Sequence, residues 1–112
     1  MMPQTSSGAD SAEGAETRAV RFAVERELSR VPHTITRIIV KVIKHLDAVG
    51  DDWSPMSDGD AETLRRHRTT NDDAVWWMTR AYTAACRAGA VHPIAPGTIA
   101  LYVAAIGLRD ES

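Results

Sequence analysis

Residues 34–50 read TITRIIVKVIKHLDAVG, and this stretch decides the fold class. Strict alternation, which a half-buried strand would require, fails where apolar residues follow one another at positions 38–40. The many β-branched residues keep a strand as the rival interpretation, but the helical period holds throughout. The stretch therefore predicts a helix that Thr34 caps and Gly50 ends. Its apolar stripe, spaced alternately by four and three positions, is Ile35, Ile39, Val42, Leu46 and Val49.

A helix at the same spacing precedes this stretch. It covers residues 15–31, and Pro32 ends it because proline disfavours helical backbone in the residue before it. Phe22 lies off the centre of its apolar stripe. That stripe consists of Val20, Val24, Leu28 and Val31.

An acidic loop and a short helix follow. The loop, GDDWSPMSDGD over residues 50–60, carries Trp53, which we expect to pack back on the domain. Residues 60–68 then predict a short helix with Asp60 as its cap and Leu64 as its one substantial apolar residue. We expect much of this helix to be exposed to solvent.

Two more helices complete the predicted bundle. The fourth begins at a cap formed by Asn71 or Thr70 and ends at Gly89. A proline-containing connector leads to the fifth helix, residues 98–106. The fold class is therefore all-α: a single compact bundle of four to five helices over residues 15–112. Residues 1–14 lack an apolar period and predict a disordered tail.

Composition narrows the classes of protein. The 112 residues carry a formal charge of −2, so the chain is not basic throughout, as many obligate nucleic-acid binders are. No apolar run is long enough to span a membrane, and no secretory signal is visible at the N-terminus. Cys86 is the only cysteine, which excludes an internal disulfide and suits a reducing compartment. These features predict a cytoplasmic protein without a membrane partner.

No motif for catalysis or metal binding stands out. A calcium loop of the EF-hand type needs a glutamate six positions after its central glycine, but Arg65 stands there after Gly59. The four histidines are scattered singly, and Cys86 has no Cys or His at ligand spacing. Nucleophile elbows and phosphate-binding glycine loops are missing as well. We therefore predict no enzyme, no metal and no cofactor.

Basic side chains form two groups that could contact phosphate. One is the run of Arg65, Arg66 and Arg68, and the other is Lys41 with Lys44 on the second helix. Clustered lysine and arginine supply the salt-dependent part of nucleic-acid binding. The alternative is an ordinary solvated helix face, since acidic residues directly precede the arginine run.

Trp76 and Trp77 cannot both point into one narrow core stripe, because neighbours on a helix diverge by about 100°. Either one indole is half exposed, or one lies in an interface with another chain. Exposed indole favours association, and the heptad-like seam of the second helix is suited to helix–helix contact within or between chains. We therefore predict a homodimer with one of these two tryptophans in its interface.

Residues 76–106 read WWMTRAYTAACRAGAVHPIAPGTIALYVAAI. This segment resembles the N-terminal core-binding, SAM-like domain of phage and plasmid tyrosine recombinases, in which a helix, a glycine, a connector with spaced prolines and a second helix follow in this order. Tyr102 belongs to the core-binding helix pattern, so it does not correspond to the family's catalytic tyrosine. The matching positions are Arg80, Tyr82, Cys86, Gly89, Pro93, Pro96, Thr98, Tyr102 and Val103.

The resemblance implies a helical module that grips duplex DNA without recombinase chemistry. The leading functional prediction is therefore a small, non-enzymatic DNA-associated module from a phage or mobile element. The alternative is a protein-interaction module, either an oligomerising regulator or an inhibitor of a larger complex, that uses Trp76 and Trp77.

Overall fold

The computed structural model describes residue 15 and residues 17–108, so the predicted tail, residues 1–14, lies outside the described residues. The described part contains five helices and no strand, which confirms the all-α prediction. None of these helices is both long and apolar enough to cross a membrane. The helices are α1 (17–27), α2 (His33–Val49), α3 (Asp58–Arg66), α4 (Asn71–Arg87) and α5 (Thr98–Ile106).

The helix starts differ in part from the predicted caps. Thr34 is not the cap of α2, because the helix begins one residue earlier and the Pro32 carbonyl accepts its first hydrogen bonds. Asp60 is not the cap of α3 either. Ser57 holds that position, and its hydroxyl accepts from the Asp60 amide at 3.2 Å. Of the two candidates for α4, Thr70 is the cap, accepting from the Asp73 amide at 3.0 Å.

The first helix is shorter than predicted. Its regular hydrogen bonding ends at residue 27, and residues 28–30 form a turn before Pro32. Leu28 nevertheless stays buried and Val31 half-buried, because the turn keeps both side chains against the core. The apolar stripe therefore predicted burial correctly although the predicted helix end was wrong.

The second helix is the centre of the core. It packs against α3 and α4, and α4 in turn packs against α5. Ile38, Val40 and Ile43, which lie outside the predicted stripe, are buried as well. Of the two uses predicted for the seam, contact within the chain is the one observed, since the chain's own helices cover the apolar surface of α2. Val49, the last residue of the predicted stripe, is only half-buried.

The acidic loop closes one end of the bundle. The ring of Trp53 meets that of Tyr102 edge-on, with the centroids 5.2 Å apart, so the loop packs on the domain as predicted. His45 holds the next loop residue, because its Nε2 lies 3.1 Å from the Ser54 amide nitrogen. This end of α2 is thereby joined to the loop and to α5.

Candidate interaction surfaces

The basic residues predicted to contact phosphate are partly engaged inside the chain. Lys41 forms an ion pair with Asp60 at 3.0 Å, which links α2 to the first turn of α3. Arg65 pairs with Glu62 at 3.4 Å, and its Nη2 donates to the Ile106 carbonyl at 3.1 Å. Arg65 therefore satisfies a carbonyl at the C-terminal end of α5, where backbone acceptors lack helical partners.

The other three residues predicted to contact phosphate are less engaged within the described part of the chain. Arg66 and Arg68 are exposed and Lys44 is half-buried, and none of the three has an ion-pair partner among residues 17–108. Lys41 contacts the start of α3, whereas the arginine run lies at its end. Because α3 has nine residues, its two ends are about 13 Å apart. The structure thus places the two basic groups along one helix pair rather than in a single cluster.

The two neighbouring tryptophans have different surroundings. Trp77 is half-buried and packs against the core, whereas Trp76 is 60% exposed. The guanidinium of Arg80 lies over the Trp76 ring, 5.3 Å from its centroid. A cation over an indole face is attracted by the ring's quadrupole, so the guanidinium stays against the exposed ring.

Arg80 also links α4 to α1. Its Nε donates to Glu27 Oε2 at 2.8 Å, so Glu27 on α1 holds the guanidinium in place. Glu27 in turn lines a groove between the two helices, with a volume of about 500 Å³. Trp76, Arg80 and Glu27 therefore connect the exposed indole to this groove. The other lining residues are Ala19, Phe22, Ala23, Arg26, Ala84, Arg87 and Ala88.

Phe22 stands at the centre of the α1 side of this surface. Its ring is 66% exposed, and it borders a second, shallow depression along α1 together with Arg18 and Arg21. We call the surface formed by Phe22, the groove, Trp76 and Arg80 the α1/α4 face. Sequence reasoning placed Phe22 only off the core stripe. An aromatic residue in that position was itself an indication of an exposed binding surface.

Arginine dominates the charge of the α1/α4 face. Arg26 and Arg87 line the groove, are exposed, and have no ion-pair partner among residues 17–108. The nearest carboxylate in the groove, Glu27, is already bound to Arg80. This face therefore combines two exposed aromatic rings with uncompensated positive charge.

A second groove lies on the other side of α4. It is formed with the connector and the start of α5, has a volume of about 550 Å³, and has no charged residue in its lining. The connector is held by two hydrogen bonds at His92: Tyr82 Oη donates to its carbonyl at 2.6 Å, and its amide donates to Asp47 Oδ1 at 2.8 Å. Burial, with Asp47 as a smaller cause, raises the pKa of Tyr82 far above its usual range.

Within the described residues, no three His, Cys, Asp or Glu side chains come together as a metal site. The thiol of Cys86 lines the uncharged groove, where burial and then the charge of Asp47 raise its pKa. A raised pKa keeps the thiol protonated and makes it a poor nucleophile.

Comparison of the chain with protein-family models, with curated proteins and with solved structures found no match. The physical character of the surfaces is thus the basis for a functional proposal.

Proposed function

We propose that this protein is a non-enzymatic helical module that binds another protein through its α1/α4 face. The supporting observation is the pair of exposed rings on neighbouring helices: Phe22 at 66% and Trp76 at 60% exposure. Exposed apolar patches with a polar rim are characteristic of interaction sites, and tryptophan and arginine are enriched among the residues that dominate binding energy.

The arrangement of Trp76 supports its role as an anchor. Arg80 lies over the Trp76 ring and is itself bound by Glu27. Part of the surface around the ring is therefore already ordered before a partner covers it. Preorganised aromatic groups bind more tightly because less side-chain freedom is lost on binding. As part of the same proposal the module acts in the cytoplasm, where the lone thiol of Cys86 would stay reduced.

Site-specific photo-crosslinking tests this function. The photoreactive residue p-benzoylphenylalanine replaces Trp76 in one variant and Leu101 in a matched control, because Leu101 is equally apolar and 64% exposed but lies on α5 outside this face. We expect irradiation of the expressing cells to give a defined protein adduct from position 76 and none from position 101. Adducts from position 101 alone, or from neither position, would contradict the proposed face.

A second candidate function is the DNA-associated module that the sequence predicts. The observation that favours it is the exposure of Arg66 and Arg68, which have no ion-pair partner within the described part of the chain. An origin in a phage or mobile element belongs to this candidate alone.

Mobility shifts of generic duplex DNA test the second candidate. If the arginine run contacts phosphate, changing Arg66 and Arg68 to Ala weakens binding equally for all sequences and flattens its salt dependence, whereas Arg18→Ala, on α1, leaves it unchanged. Arg65 is left intact because its bond to α5 gives it a structural role. No shift of any duplex at about 50 mM salt, where phosphate contacts are strongest, would exclude this candidate.

A further inference from the structure

We propose that the partner segment is an acidic amphipathic helix that lies in the groove between α1 and α4. This inference rests on the proposed function, and it adds the chemical class of the occupant. The shape of the groove, the apolar character of its floor and the charge along its edges all favour such a segment.

The groove and the α4 face that continues from it together match the length of a short helix. On α4 the groove is lined by Ala84, Arg87 and Ala88. The same face of α4 continues through Arg80 to Trp76, because positions 76, 80, 84 and 87 are spaced by four, four and three. From Trp76 to Arg87 this face rises about 16 Å, or three turns. Amphipathic helices of that length bind grooves through apolar residues at the same spacing.

The floor of the groove suits apolar side chains. Alanines from both helices line it, and small residues leave room for larger side chains from an incoming helix. Phe22 borders this floor as an exposed ring, and the exposed ring of Trp76 lies further along α4, beyond Arg80. A nucleic-acid backbone would gain little from an alanine-lined floor, so the apolar groove favours a protein segment over a phosphate backbone.

The positive charge along the edges of the groove favours an occupant with acidic residues. Arg26 and Arg87 stand at the groove without ion-pair partners within the described part of the chain. Arg18 and Arg21 border the adjacent depression, where Glu25 is the one carboxylate among the described lining residues. Opposite charges across an interface steer association and select the partner, while like charges exclude it. A second copy docked by two-fold symmetry would bring the same excess of arginine to the other side of the interface. The charge therefore favours a different, acidic chain.

Two synthetic peptides of three helical turns provide the test. Both carry leucine at helical spacing, with glutamate at the flanking positions of one and lysine at those of the other. Fluorescence anisotropy of labelled peptide then measures affinity for the full chain. We expect the acidic peptide to bind about tenfold more tightly, because its glutamates can form ion pairs with Arg26 and Arg87. Added salt should reduce this difference, because it screens exposed ion pairs.

Charge-reversal variants test whether the peptides bind at the groove. The double change Arg26→Glu and Arg87→Glu should reverse the preference toward the lysine peptide, whereas Arg37→Glu, on an exposed part of α2 outside the groove, should leave it unchanged. Circular dichroism checks that each variant keeps its helix content. All three arginines are exposed, so folding should be preserved.

The outcomes separate this inference from the function itself. Equal affinity for both peptides, with loss of both in Trp76→Ala, would overturn the acidic class but leave the α1/α4 face as a protein-binding surface. No binding of either peptide would also overturn the inference, and crosslinking from position 76 would then decide the function independently. Tighter binding of single-stranded DNA at the same groove, or self-association that Trp76→Ala abolishes, would overturn it too.

Discussion

Tyr82 is a buried residue whose hydroxyl affects stability in two ways. Its hydroxyl donates to the His92 carbonyl at 2.6 Å and so ties the connector to α4. Burial is also the main reason that its pKa is raised far above the ordinary value. The hydrogen bond matters at any pH where the hydroxyl is protonated, while the pKa shift matters only in alkali.

We predict that stability falls above about pH 10 and that Tyr82→Phe makes this fall shallower. An unfolded tyrosine ionises near pH 10, whereas the raised pKa keeps folded Tyr82 protonated. The folded state then binds more protons than the unfolded state, so the free energy of unfolding decreases as pH rises through this window. Urea unfolding from about pH 8 to about pH 11 measures the slope.

The same variant has a second effect at neutral pH. Tyr82→Phe leaves the His92 carbonyl without this donor and should cost about 1 kcal/mol. Thr83→Ala, at an exposed neighbouring position, is the matched control and should change neither value. An unchanged alkaline slope in Tyr82→Phe would show that ionisation of this residue is not linked to folding. Tyr102, whose pKa burial also raises, would then carry the slope.

At the level of the helices, the local sequence leaves open which residue caps each helix. Ser57 and Thr70 each accept a hydrogen bond from an amide three residues later, in the first turn of α3 and α4. Both helices also place aspartates in that turn, where the helix dipole favours negative charge. Thr34 has the same residue type but lies inside α2 and caps nothing.

We predict that Ser57→Ala and Thr70→Ala each lower the free energy of unfolding by about 1 kcal/mol, because each leaves an amide of the first turn without its partner. Thr34→Ala is the matched control and should change stability by less than about 0.5 kcal/mol, as an exposed surface substitution. Chemical denaturation of the three variants provides the comparison. A loss in Thr34→Ala equal to the other two would contradict the assignment of Pro32 as the capping position of α2.

For the whole molecule, the question is what covers the exposed rings. The homodimer predicted from the sequence relied partly on the seam of α2, and that seam is buried within the chain. The tryptophan part of the prediction now concerns Trp76 alone, since Trp77 packs against the core. The excess of arginine on the α1/α4 face opposes pairing of two copies there.

We therefore expect the isolated chain to sediment as a monomer at micromolar concentration. Sedimentation velocity at low and high salt measures this state, since salt would relieve repulsion between arginines and promote any apolar pairing. Trp76→Ala is the informative variant, and Leu101→Ala is its control of equal exposure. A dimer that disappears in Trp76→Ala alone would support the predicted homodimer and exclude the acidic partner.

The amino-acid sequence by itself determined the helices and most of the core. The stripes from Val20 to Leu28 and from Ile35 to Leu46 are buried as their spacing predicts. Helices can be predicted in this way because the spacing of apolar residues is a local property of the sequence, which does not depend on what the helix packs against. Cap identity was less certain, because several Ser, Thr, Asp and Asn residues near each start can accept the same hydrogen bond.

Only the tertiary structure decided the surfaces. Arg65 bonds to a carbonyl 41 residues away, and Arg80 bonds to Glu27 across 53 residues, so neither partner is visible in local spacing. The same holds for Phe22 and Trp76, which share a face because α1 lies beside α4. How two helices are rotated about their axes depends on the packing of all their side chains together. The sequence therefore named the arginines and aromatic residues, whereas the fold selected which of them are free to bind.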